Sequence, residues 1–340
     1  MVMRIEQLWP LLEEARQKSE EQPSTSLPGG WALRLIRPDP SCPLYVGIEL
    51  SSGRRGLLLR VAGKLIPTKS NNRISNSLAI ATVPINSDEV LFGVLLRDIR
   101  NSDTFSALAE DLARRITKAT TPTTRISSLL EGIKRWQKFL VAGNDGLSEE
   151  AQSGLWGELH FLGEQLIPKF GCLEAVSAWQ GSKAAHQDFV MPGGAIEVKT
   201  TTAKKPHVLR ISSERQLDEK GLPSLFLHHV ALSVQQGAGE TLPDIISRLR
   251  GKIAAERYAT EIFEEGLLAV GYLDLHIPRY AEKGYMVREI NDFAVRRGFP
   301  RITERDLPKG IGNVTYLLSV EACRPFSITT KSLLNAVAVR

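Results

Sequence analysis

The sequence predicts an α+β protein of two domains, a mainly-β N-terminal domain and a mixed α/β domain from about residue 146 onward. Three observations carry this. A length of 340 residues fits two domains at about 100–200 residues each. Short strand-like runs cluster between Trp31 and Pro84, whereas helical and strand-like runs intermingle after residue 146. The polar, proline-containing stretch KATTPTTR (118–125) supplies a break between the two patterns. Apolar residues at 42% and charged residues at 24% are near the globular average, which excludes wholesale disorder and provides for a sizeable core. No run approaches 18 uninterrupted apolar residues, so no transmembrane helix is expected.

Each element has its own signal. Leu8, Leu11, Leu12 and Ala15 give residues 4–21 an amphipathic helical period. WALRLIR, LYVGIEL, GLLLRVA and VLFGVLL read as strands separated by turn residues. FSALAEDLARRIT reads as a helix, 118–125 as a linker, and ISSLLEGIKRWQKFL as a helix connecting the halves across 126–145. A further helix begins at Ser148, a good N-cap followed by Glu149 and Glu150, and is expected to stop at Pro168. Strands are expected at LEAVSAW (173–179), around Asp188, and at 195–201, 207–213 and 225–234, with a helical region at 241–262.

Charge and cysteine usage bound the function. The net charge of +5 permits an acidic partner without requiring one. Between Leu50 and Ser87 there are six basic residues (Arg54, Arg55, Arg60, Lys64, Lys69, Arg73) and no acidic one, which reads either as a solvated hairpin face or as a phosphate-contacting patch. Cys42, Cys172 and Cys323 are odd in number and far apart, which excludes a disulfide scaffold or a paired-cysteine metal knuckle. The first 22 residues lack a signal-peptide layout, so the cytoplasm is the expected location. No Walker A loop, GxGxxG or GxSxG elbow is present, leaving ATP, NAD and serine-hydrolase chemistry without support.

The chemistry concentrates in AHQDFVMPGGAIEVKTT. Pro192-Gly193 suits the centre of a type II turn, with Gly193 at positive φ. A hairpin closed symmetrically there sets Met191 opposite Gly194 and Asp188 opposite Glu197, with Lys199 on the same face two residues on. Two facing carboxylates repel, and a divalent cation offsets that directly. A lysine beside them can orient a water or stabilise charge on a phosphate. The alternative is a solvated hairpin face with Lys199 paired to a carboxylate. A one-residue slip in register would separate Asp188 from Glu197. Upstream, Leu155, Leu159, Leu162 and Leu166 form an apolar helical stripe with Glu158 at its edge, where a carboxylate needs a partner. Gly154 and Gly157 would let that helix approach another backbone.

A helical Glu158, then Asp188, then Glu197-Val198-Lys199 on a hairpin resembles the PD-(D/E)xK nucleases, over roughly 148–234. Gln187 stands where the motif has proline. The whole chain is also similar to a bacterial branch of PD-(D/E)xK motif proteins found beside restriction and anti-phage genes, through GLWGELHFL, IEVKTT with ISSERQL after it, and FPRITERDLPKGIGNVTYLLSVEAC. The resemblance implies a restriction-endonuclease-like fold with a mixed central sheet, a DNA substrate and Mg2+, with Mn2+ as a substitute. It implies that Asp188, Glu197 and the Val198 carbonyl bind the metal, that Glu158 supports it, and that Lys199 activates water. Gln216, read as helical, is expected to face the site, and His186 is a candidate to flank it. Lys204, Lys205, Arg210, Arg54 and Arg55 are candidate DNA contacts, while protein partners from a defence operon or a homodimer are candidate controls. The competing expectation is a non-cleaving DNA-binding or scaffolding subunit. The pair His228-His229 is expected to put one ring in the core and one outside, and the five tryptophans are expected to be core.

Overall fold

The computed structural model describes residues 5–21, 30–36, 42–67, 78–97, 102–141, 146–181 and 186–338. The chain divides into two compact units, 1–144 and 145–340.

In the first unit, α1 (Ile5–Glu21) buries Ile5, Leu8, Trp9 and Leu12, while Leu11 faces out. Five strands follow: β1 (Trp31–Leu35), β2 (Leu44–Glu49), β3 (Arg55–Ala62), β4 (Leu78–Pro84) and β5 (Glu89–Leu96). They form one antiparallel sheet in the order β1-β2-β3-β5-β4. Helices α2 (Ser102–Ile116) and α3 (Pro122–Val141) complete the unit. Three helices beside five strands make it α+β rather than mainly β. The stretch 118–125 is a tight connection between α2 and α3: Arg125 Nε donates to the Ala119 carbonyl, and Thr121 and Thr124 bond each other. The helix expected to bridge the halves instead packs along α2 within the first unit, where Trp136 Nε1 donates to Asp111.

The second unit begins with α4 (Glu149–Phe161), capped by the Ser148 hydroxyl, which accepts from the Ala151 N–H. Pro168 does not end the helical path. The helix widens into a π-type turn over Leu162–Leu166, and α5 (Ile167–Phe170) carries the proline in its first turn, where its missing N–H costs nothing. The run expected as a strand at 173–179 is α6 (Cys172–Ala178). Ala175, Val176 and Trp179 reach the core together at helical spacing.

Next come β6 (Phe189–Met191), β7 (Gly194–Thr201), β8 (Val208–Ile211), β9 (Leu225–Gln236) and β10 (Glu240–Thr241), then α7 (Leu242–Ile253), α8 (Arg257–Ala269) and α9 (Ile277–Tyr280). The chain ends with β11 (Lys283–Ala294), β12 (Tyr316–Ser319), α10 (Val320–Cys323), β13 (Ser327–Ile328) and α11 (Thr330–Val337). The main sheet runs β10-β11-β9-β7-β6, with β13 also on β11. It is mixed: β7 and β9 are parallel, the other pairs antiparallel. One face, through Ile196, Val198, Phe226, Val230 and Leu232, packs against α4, α6, α7 and α8. On the other, Leu225, Leu227 and Phe293 meet Leu209, Ile211 and Leu318 of a separate β8–β12 ribbon. The expected short helix at SERQL is a turn.

The hairpin register is the one the sequence predicts: Met191 opposes Gly194 and Phe189 opposes Ile196. The turn type differs. Gly193 keeps negative φ, and the positive φ (153°) falls on Gly194. That glycine runs against Ser224, whose carbonyl oxygen lies 2.4 Å from where a Cβ would stand. Close approach, not turn handedness, demands glycine here.

Gly157 lets α4 settle on β7, since a Cβ there would lie 2.2 Å from Thr200 Cγ2; a Cβ at Gly154 meets nothing within 4 Å. Gly157→Ala is therefore expected to cost about 1–3 kcal/mol through overpacking. Gly154→Ala should be neutral or stabilising by up to about 1 kcal/mol, from helix propensity. Paired thermal melts check this, and equal effects would contradict the close approach.

Candidate active site

Strand alternation sends Ile196 and Val198 to the helical side of the sheet and Glu197 and Lys199 to the other. Asp188, one residue before β6, arrives opposite Glu197 by continuation of the hairpin ladder. Its Oδ2 accepts the Val198 N–H at 2.7 Å, which ties it to β7. A residue's N–H and C=O leave a strand on the same side, so the Val198 carbonyl faces toward Asp188.

Glu197 is 1% exposed. Its Oε1 lies in an ion pair 2.8 Å from Lys199 Nζ, yet neither of its oxygens has a well-aligned hydrogen-bond donor, and Oε2 has no counter-charge either. Burial, reinforced by Asp188, pushes Glu197 up to about 8. Burial likewise lifts Asp188 to about 6, against the pull of Lys199 and the Val198 N–H. Glu158, half-buried on α4, accepts from Trp179 Nε1 at 2.8 Å. It too is held well above its ordinary value, by burial first and by Asp188 second. Burial opposes the Lys199 ammonium, but Glu197, Asp188 and Glu158 outweigh it and keep the lysine charged.

Lys199 Nζ also donates to Gln216 Oε1 at 3.1 Å, and the same oxygen accepts the Ser212 N–H at 2.8 Å. The turn carrying Gln216 is pinned by Gln187, whose Nε2 donates to the Arg215 carbonyl at 2.9 Å. Gln187, in the motif's proline position, thus links the Asp188 segment to the residue that holds Lys199.

Among the described residues, no three His, Cys, Asp or Glu side chains converge closely enough to enclose an ion by themselves. The donor set still suits Mg2+, which is commonly held by one or two carboxylates with waters and substrate oxygens making up the rest. A buried carboxylate oxygen without a donor is the kind of atom such an ion satisfies. Asp188, Glu197 and the Val198 carbonyl offer that set, while one Glu158 oxygen is already occupied by Trp179.

A family model described as "Putative PD-(D/E)XK family member (DUF4420)" matches residues 5–321. The chain belongs to this family. No curated protein and no solved structure matches it. In this PD-(D/E)XK chain the match spans both compact units.

Other expected contacts scatter. Lys204 and Arg210 are exposed on the second unit, and Lys205 pairs with Glu289 at 2.7 Å. His186 is exposed and lines a cleft of about 350 Å³ with Gln187 and Arg215, apart from the carboxylates. In the first unit Arg54 is exposed, Arg55 stacks over Trp9 at 4.9 Å, and Arg60 pairs with Glu89 at 2.5 Å. Lys69 and Arg73 lie outside the described residues. The expectation of one buried and one exposed histidine fails: His228 and His229 are both fully buried. They point to opposite faces of a strand covered on both sides, as β9 is. His228 Nδ1 meets Asp292 at 2.6 Å, and Asp292 accepts from Thr330. Burial pushes His229 down to about 4. The five tryptophans are core as expected, but Trp179 also holds Glu158, a role its apolar neighbourhood did not signal.

The raised carboxyls give a pH signature. Glu197 rises from 4.5 to about 8 and Asp188 from 3.8 to about 6, so between those values the folded chain holds protons that the unfolded chain has released. The stability of the metal-free protein should therefore fall as pH rises through this window and level off above it. Asp188, Lys199 and Glu158 are the charges facing Glu197, and Glu197→Gln should flatten the upper part of the fall. Melting temperature against pH checks this, and a stability that rises from pH 5 to 8 identically in both proteins would contradict it.

Proposed function

We propose that the second unit is a Mg2+-dependent DNA endonuclease acting by phosphodiester hydrolysis. The observation that supports the reading best is the buried Glu197 facing the half-buried Asp188, with Lys199 on the same sheet face, in a family whose motif places those residue types there. Asp188, Glu197 and the Val198 carbonyl would hold the cation, which when bound neutralises phosphate charge and makes a coordinated water more acidic.

The chain's own residues do the rest. Glu197 and Gln216 hold Lys199 charged and fixed at 2.8 and 3.1 Å. Its ammonium is then set to stabilise the negative charge that gathers on the phosphate oxygens as water attacks, without reorganising at that moment. The Val198 N–H keeps Asp188 aimed, and Trp179 orients Glu158. A subunit that only bound DNA would have no chemical reason to set a buried Glu197 and a half-buried Asp188 against one lysine. The resemblance drawn from the sequence motifs would set this activity in a restriction or anti-phage system, with control by partners or sequence recognition.

The test is cleavage of supercoiled plasmid and phage DNA with Mg2+ or Mn2+. Asp188→Ala and Lys199→Ala should each reduce the rate by about 10³-fold or more, in the range seen on removing a charge-stabilising group. Gln216→Leu should reduce it about 10-fold by loosening Lys199. Cleavage that survives Asp188→Ala and Lys199→Ala would show that the chemistry lies elsewhere.

A further inference from the structure

Among the described residues of the second unit, no element packs on the outer face of the β8–β12 ribbon. Leu209, Ile211 and Leu318 turn inward and are buried. By alternation, Val208 and Arg210 share the outer face with Leu317 and Ser319. Leu317 sits opposite Arg210, and Ser319 opposite Val208. Leu317 is 72% exposed and Val208 44%. Arg210 is the one charge among the eight ribbon residues, and no carboxylate pairs with it among the described residues.

The surrounding sequence has one sign. Residues 202–211 carry Lys204, Lys205 and Arg210 and no acid; residues 307–319 carry Lys309 and no acid. Among the described residues, Lys205 is the one of these that is paired, with Glu289. The ribbon also adjoins the catalytic strand. Beyond β8 the Ser212 N–H holds the Gln216 oxygen that accepts from Lys199. On the other side, a cleft of about 430 Å³ runs from Arg210 to Thr200, Thr201 and Thr202, the residues directly after Lys199; the acids lining it are Glu150 and Glu149, the latter paired with Lys283 at 2.5 Å.

We propose that the outer face of this ribbon enters a groove of the DNA duplex, with Arg210 on the phosphate backbone and Leu317 and Val208 against the groove wall. The inference rests on the nuclease reading and adds the surface that presents DNA to Lys199. A two-stranded ribbon fits the major groove, whose base edges include apolar thymine methyls. An unpaired cation flanked by exposed apolar side chains, on two strands that carry no acid of their own, matches a polyanion with such edges. A second copy of the chain is a poorer occupant, because a two-fold ribbon-to-ribbon contact covers two Arg210 side chains with no carboxylate on either ribbon to pair them.

The experiment is fluorescence anisotropy of the full chain on a labelled duplex in Ca2+, over a range of salt, beside plasmid cleavage in Mg2+. Arg210→Ala and Leu317→Asp change exposed residues and should melt as wild type. Arg210→Ala is expected to weaken binding several-fold and to lower the salt slope by about one phosphate contact. Leu317→Asp is expected to weaken it by about 10-fold or more, through lost apolar contact and repulsion of phosphate. If wild type binds and cleaves and both variants bind as it does, the ribbon proposal is wrong while the nuclease reading stands. If wild type neither binds nor cleaves DNA, both are wrong. If wild type is a dimer that Leu317→Asp dissociates, the face belongs to a second copy and the proposal is overturned.

Discussion

The second unit is organised around one unfavourable contact, the buried Glu197 of β7 set opposite the half-buried Asp188 just before β6. Like charges across a ladder destabilise it, and burial makes each carboxylate costlier still. The structure offsets this only in part. Lys199 lies 2.8 Å from one Glu197 oxygen, the Val198 N–H satisfies one Asp188 oxygen, and the second Glu197 oxygen is left without a donor. A fold that needed only stability could put apolar side chains in these positions. What remains unsatisfied is a place for positive charge, and the arrangement is understandable as a site that a cation completes.

The supports of that contact are long-range. Trp179 reaches Glu158, Gln187 pins the turn of Gln216, and Gln216 in turn fixes Lys199. Gln187 makes the absence of the motif's proline intelligible, since its amide does what a proline cannot and bonds two segments together. On the neighbouring strands, the buried chain of His228, Asp292 and Thr330 ties β9 and β11 to the start of α11. A buried polar chain of this kind helps to fix strand register, although His228 Nε2 is left without a partner.

What the sequence revealed and what it concealed divide along the same line. The register of the hairpin was legible because a Pro-Gly turn and a period of two leave one consistent pairing, and Glu158 was legible from its place beside a leucine stripe. The short apolar run Cys172–Ala178 was not, because seven residues fit a strand or a helix equally and only packing against α8 decides. The first unit read as mainly β because its strand runs are conspicuous, whereas the packing of α3 on α2 depends on contacts such as Trp136 to Asp111 that no local pattern announces. Gln187 and Trp179 escaped for the same reason: their partners lie 28 and 21 residues away.

The most direct test of the central claim is a Mg2+ and Mn2+ titration of the full chain, followed by melting temperature and calorimetry at pH 8, for wild type, Asp188→Ala and Glu197→Gln. The account predicts saturable metal binding that raises the melting temperature of wild type and is abolished in both variants. Metal binding of equal strength in all three proteins, or none in wild type, would contradict a cation site at Asp188 and Glu197.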